Sequence, residues 1–262
     1  MKYVQLRIVA VILFGMLTTA TTARAQAQAV EPPAGAQQVL AQSTEQGKFT
    51  FIVFYRADDD ATRAMAQVVT ETAAKHAGQA ATTFVQITNP AEQAIVKQFD
   101  VARAPMPITL ATAPNGAITG VFPQKADEAQ LATAFVTPAM SHCMKAMQAG
   151  KLVFLCVQTT PQPTVPQAVN EFLADPQFKD RGNVVLVNAA DPAEAQLLAE
   201  LELGGANTAF FAPPGVLVGK FGFASTKTEI AGALHKAGKC CEDPNCKHGH
   251  NHAAKPAQSG VR

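Results

Sequence analysis

The densest concentration of reactive side chains lies near the carboxy-terminal end. Between Lys239 and His252 stand Cys240, Cys241, Cys246, His248, His250 and His252, three of the chain's 5 cysteines and three of its 6 histidines. Thiolate and imidazole are the ligands that Zn²⁺, Cu⁺ and Cu²⁺ favour. Asp243, Pro244 and Asn245 are turn formers, so the chain can bring Cys246 back towards Cys240 or Cys241. The alternating histidines then offer one or two imidazoles. The paired Cys-x-x-Cys of a zinc finger is missing, and adjacent cysteines strain against a single tetrahedral ion. Metal identity and ligand number therefore stay open. Two bland readings stand beside metal capture. In an oxidising compartment Cys246 could form a disulfide with Cys241 or Cys240, leaving an odd thiol for Cys143. Alternatively, the histidines belong to a solvated tail that takes metal adventitiously. A vicinal Cys240–Cys241 redox pair, strained and easily reduced, is a further reading.

Three other groups could do chemistry. Residues 138–150 read as a helix that places Met140, Cys143, Met144 and Met147 near one face, with His142 on another. Thioethers and thiolates suit Cu⁺; helical spacing alone explains the stripe as core packing, the simpler reading. Cys156 sits in an apolar run and reads as a small core residue, and a Cys143–Cys156 disulfide would need a Cα separation the sequence does not give. Asp58, Asp59 and Asp60 could offer oxygen to Ca²⁺ or Mg²⁺. The simpler reading is that they cap a helix, where its dipole favours negative charge.

The chain that carries these groups has 262 residues, 48% hydrophobic and 16% charged, with a net charge of +1. No basic surplus exists for bulk binding to nucleic acid. Lys2 and Arg7 precede an apolar run from Ile8 to Leu17, and Ala23-Arg24-Ala25 forms an A-x-A exit. That pattern reads as a cleaved signal peptide over residues 1–25; the run is about half the ~20 residues a membrane span needs. Cleavage would leave 18 cationic and 20 acidic side chains. The expected mature protein is exported, periplasmic or secreted, with no transmembrane segment. Residues 26–37 read as a flexible leader.

The remainder repeats once. Gly47–Val53 echoes Gly150–Cys156, Asn89–Glu92 echoes Asp191–Glu194, and Ala113–Gly116 echoes Ala212–Gly215. The offset drifts from 103 to 102 to 99, which short loop deletions explain, so two similar domains are expected at residues 38–137 and 150–238, joined by a connecting helix at 138–149. In the first copy, strands are predicted at Phe49–Tyr55, Thr83–Ile87, Ile108–Thr112 and Ala117–Phe122. A helix with the stripe Ala61, Ala64, Met65, Val68, Val69, Thr72 and Ala73 follows the first strand. Asn89 and Glu92 suggest a capping box for the next helix, and a last helix is expected over Asp127–Val136. In the second copy, strands are predicted at Leu152–Gln158, Val184–Asn188, Thr208–Ala212 and Val216–Phe221. Helices begin near Val165, Asp191 and Thr226, the last with a Thr226/Glu229 capping box. The order predicts an α/β class in which each domain is a mixed sheet flanked by helices.

These landmarks resemble the thioredoxin-like fold, twice in tandem. Phe51–Tyr55 leading into a helix, and Phe99–Pro105 ahead of a strand, look like the family's first strand and the segment ending in its cis-proline; Pro105 and Pro107 compete for that position. Active thioredoxins carry Cys-x-x-Cys where the first strand meets the helix, whose N-terminus activates one thiol. Here that place holds Asp58–Thr62 in one copy and Thr159–Pro163 in the other, and Ala206-Asn207-Thr208 stands where the second copy would have its cis-proline. The resemblance therefore implies a scaffold without dithiol exchange. Three functions are weighed: a non-catalytic protein binding Zn or Cu through its tail; a protein-interaction module for an envelope client, docking near Pro105, Met106 and Pro107; and an oxidoreductase using the tail cysteines.

Overall fold

The computed structural model describes residues 35–160, 162–204 and 206–238. The expected signal peptide and the Cys/His tail, with Cys240, Cys241, Cys246, His248, His250 and His252, lie outside the described residues. The first lobe runs α1 (Gly35–Glu45), β1 (Phe49–Tyr55), α2 (Asp60–Lys75), β2 (Ala80–Gln86), a 3-10 turn at Pro90–Glu92, α3 (Gln93–Gln98), β3 (Ile108–Thr112), β4 (Ile118–Pro123) and α4 (Glu128–Ala132). The second runs α5 (Pro138–Gln148), β5 (Leu152–Gln158), α6 (Gln167–Leu173), β6 (Gly182–Asn188), a 3-10 turn at Pro192–Glu194, α7 (Ala195–Leu201), β7 (Thr208–Ala212), β8 (Val216–Phe221) and α8 (Lys227–Lys236). The sheet orders are β2-β1-β3-β4 and β6-β5-β7-β8. The first pair of each sheet is parallel and the other pairs antiparallel. This is the expected α/β architecture of two tandem thioredoxin-like domains, each a mixed sheet flanked by helices.

Strand alternation builds a core on both faces of each sheet. Along β1, Ile52 and Phe54 join the layer under α1 and α3, while Phe51 and Val53 join the layer under α2 and α4. Along β5, Val153, Leu155 and Val157 face α5 and α7, and Leu152, Phe154 and Cys156 face α6 and α8. The leading helices repeat too. Helices α1 and α5 are both 11 residues long, and each packs on the first two strands of its own lobe. Gly35, where α1 begins, lies inside the stretch expected as leader.

Local expectations differ from the observed structure in several places; β2 and β6, for example, begin earlier, at Ala80 and Gly182. The buried stripe of α2 is Thr62, Met65, Val69, Thr72 and Ala73, with Ala61 and Ala64 exposed. Helix α4 is shorter than predicted. It starts with an Asp127/Gln130 capping box and ends at Ala132; beyond it Phe135 turns inward, edge-on to Phe49 and Phe51 at 5.3 and 5.6 Å. Glu92 closes no capping box with Asn89, whose side chain accepts from Ala91 N–H. Instead Glu92 reaches the start of α1 and accepts from Ala36 N–H at 3.4 Å. Its repeat partner Glu194 accepts from Ala139 N–H at the start of α5, at 2.8 Å. A helix's first N–H groups lack partners within the helix, so a carboxylate from elsewhere satisfies one and meets a favourable dipole.

The lobes are joined through α5. Asn115 donates to Ser141 at 3.1 Å, Lys145 donates to the Gly116 carbonyl at 3.2 Å, and Gln148 exchanges two hydrogen bonds with the Ile118 backbone, at 2.9 and 2.6 Å. The tip of the β3–β4 hairpin in one lobe is thereby tied to the first helix of the next.

Glu194 is 5% exposed, so removing its carboxylate leaves a buried helix N–H without an acceptor. Glu194→Ala should destabilise the protein by about 1–3 kcal/mol in denaturant titrations. Glu194→Gln, which keeps an acceptor, should lose less; equal losses in the two variants would refute the capping role.

Candidate functional site

In each lobe the central strand runs into a helix on the next layer, and this junction is where the resemblance would place a Cys-x-x-Cys. In the first lobe Asp59 caps α2, its Oδ1 accepting from Thr62 N–H at 2.8 Å. That hydrogen bond is the main reason its carboxyl titrates below the usual range. Arg63 donates to Asp60 at 2.6 Å and lies 3.3 Å from Asp58. The three carboxylates thus serve a helix terminus and one guanidinium, as the capping reading expects. Arg56 donates to the Ala102 carbonyl at 3.4 Å, tying this junction to the proline loop. In that loop the cis peptide is Met106–Pro107. Pro105 is exposed, Met106 packs partly into the layer under α1 and α3, and Pro107 is buried just before β3.

In the second lobe Gln158, at the end of β5, braces the junction. Its Oε1 accepts from Thr164 N–H at 3.0 Å and from Thr160 Oγ1 at 3.4 Å. Asn207 precedes β7 as Pro107 precedes β3. It is buried, and its Nδ2 has no hydrogen-bond partner among the described residues. It lines a cavity of about 390 Å³ beside Thr159, Leu198 and Phe223; Phe223 is 73% exposed. In the sequence Asn207 marks only the absence of a proline. Its donor role depends on burial, which a single residue type does not reveal.

Cys143 and Cys156 are free thiols on opposite faces of β5. Cys143, on the inner face of α5, packs with Val153 and Leu155; Cys156 lies with Phe154 on the other side and accepts from Thr208 Oγ1 at 3.9 Å. Facing apart, they pack rather than bridge. Burial, and then the nearby Glu194 carboxylate, push the Cys143 thiol up to about 12; burial pushes Cys156 up to about 11. Their lobe-one counterparts at the 103-residue offset are Leu40 and Val53, so sulfur here takes the place of core hydrocarbon. Among the described residues no group of three or more His, Cys, Asp or Glu side chains is placed to hold a metal, and no helix is long and apolar enough to cross a membrane.

The described residues therefore define a tandem thioredoxin-like scaffold with no sulfur at either strand–helix junction. No protein-family model matches the chain, and no curated protein does. Solved structures similar to it include human ERp44, at 10% identity over 78% of this chain and 56% of that one, with a TM-score of 0.34. The first two thioredoxin domains of Saccharomyces cerevisiae Eps1p match at 13% identity over 78% and 96%, with a TM-score of 0.30. Oxidized thioredoxin O2 from Arabidopsis thaliana matches at 15% identity over 37% and 80%, with a TM-score of 0.31.

Native protein treated with iodoacetamide at pH 8 should keep Cys143 and Cys156 unmodified by mass spectrometry, and both should react once the protein is unfolded. Fast native labelling of either would contradict their burial. The pH dependence has a definite sign. Both thiols hold their proton more tightly when folded, so their contribution is complete below the ordinary value near 9. It is lost as pH rises through about 11 and about 12.

Proposed function

We propose that this is an exported, non-catalytic thioredoxin-like binding protein that captures a transition metal, Zn or Cu, through Cys240, Cys241, Cys246, His248, His250 and His252. The observation that carries the non-catalytic part is the chemistry of the two junctions. Dithiol exchange needs an exposed thiolate at a helix N-terminus. One junction offers Asp59 instead, and the two described thiols are buried and protonated at neutral pH. The metal reading rests on the ligand density of the tail, where three thiols and three imidazoles fall within fourteen residues.

Titration of the full mature chain with Zn²⁺, Cu⁺ and Cu²⁺ tests the metal reading. At least one ion should bind with sub-micromolar affinity. Cys240→Ser, Cys241→Ser and Cys246→Ser, combined with alanine at the three histidines, should abolish Zn²⁺ binding. Unchanged Zn²⁺ affinity in that variant would defeat the reading.

A second reading, a protein-interaction module for an envelope client, draws on two features. The loop of Pro105, Met106 and Pro107 presents an exposed proline beside the first junction. In the second lobe Asn207, whose Nδ2 has no partner among the described residues, lines a cavity rimmed by exposed Phe223, an arrangement suited to a peptide carbonyl and an apolar side chain. Photo-crosslinking from positions 105 and 223 should then recover the same polypeptide with or without tail metal. Recovery of no reproducible partner from either position would sink this reading.

A further inference from the structure

A groove between the leading helix and the hairpin turn occurs in both lobes. In the first it lies between α1 and the turn at Pro114–Gly116, with a volume of about 660 Å³. In the second it lies between α5 and the turn at Pro213–Gly215, with a volume of about 460 Å³. The groove is thus a feature of the repeated fold. Its lining is not repeated. Three side chains of α5 enter it, Met140, Met144 and Met147. At the 103-residue offset the matching positions of α1 are Gln37, Ala41 and Thr44, which line the first groove.

This correspondence separates packing from ligation. If the fold needed bulky apolar side chains at these positions, the first lobe would show them; it carries two polar residues and an alanine there. The position between them differs too: Leu40 is half-buried against the core and also lines the first groove, whereas Cys143 is buried in the core. Met140 and Met147 touch the core under α5 along part of their length, while Met144 belongs to no core cluster. All three are half-buried, so their side chains stay open to the groove. Spaced i, i+4 and i+7, they lie along one helix face over two turns. Gln148, the polar residue of the same lining, has both amide atoms bonded to Ile118.

We propose that Met140, Met144 and Met147 form a thioether site for a soft monovalent cation, Cu⁺, in the α5 groove. Thioether sulfur is a neutral, polarisable donor that selects Cu⁺ over harder divalent ions. Three such donors on a rigid helix leave the ion's charge unchanged. The site does not depend on the tail, and no electron transfer is involved, because the ion enters and leaves as Cu⁺.

The test uses the full chain carrying the six tail substitutions, labelled with ¹³C at the methionine methyl groups and titrated anaerobically with Cu⁺. One equivalent should bind and shift the methyl resonances of Met140, Met144 and Met147 while those of Met65 and Met106 stay in place. Zn²⁺ should shift none. Met144→Leu, which preserves volume, should weaken Cu⁺ binding by about tenfold, and the triple leucine variant by about 100-fold or more. Resonances unmoved by one equivalent of Cu⁺, or a folded Met144→Leu protein binding as tightly as its parent, would overturn the proposal. Because the tail ligands are already removed, either result is independent of the tail's own metal binding.

Discussion

The central strands Phe49–Tyr55 and Leu152–Gln158 have a neighbour on each edge and helices over both faces, so their inward side chains must fit one of two core layers. Burial on both sides excludes an unpaired polar group or a charge from most of each strand. That constraint fixes much else. It holds Phe54 and Phe154 inside, and it places Cys156 of β5 in the layer opposite the one that Cys143 of α5 joins. It also confines polar and reactive groups to strand ends, helix termini and grooves. Buried polar atoms at the helix starts are then met by partners from distant segments, as Glu92 and Glu194 do for α1 and α5.

The repeat makes each lobe a control for the other. Where thiols of the second lobe match core hydrocarbons of the first, sulfur is part of the packing. Where its methionines match glutamine, alanine and threonine, packing leaves the residue choice open. The same comparison applies to the strand–helix junctions: a capping carboxylate in one and a glutamine-braced loop in the other, with no thiol in either.

Much of the architecture was legible in the sequence because its signals are local. Ile108–Thr112, Thr208–Ala212 and Val216–Phe221 are apolar runs bounded by Pro, Gly or Asn, and they fold as strands over those same residues. The Thr226/Glu229 capping box also forms as its spacing predicts. Features set by distant contacts were harder to read. Glu92 has the spacing of a local cap, yet its partner lies 56 residues away. Helix α4 ends at Ala132, and beyond it Phe135 packs on the rings of Phe49 and Phe51. Asn207 gains significance only from its burial and from an Nδ2 with no partner among the described residues. The methionine stripe was visible, but core packing gives the same periodicity; only the matching groove in the first lobe separates the two readings.

The most direct test of a scaffold without thiol chemistry is insulin disulfide reduction driven by dithiothreitol, using the full chain with Cys240, Cys241 and Cys246 replaced by Ser. Cys143 and Cys156 are then its remaining thiols. The rate should equal that of dithiothreitol alone. Turnover above that background would show that the lobes themselves exchange disulfides, and it would contradict the assignment of packing roles to both cysteines.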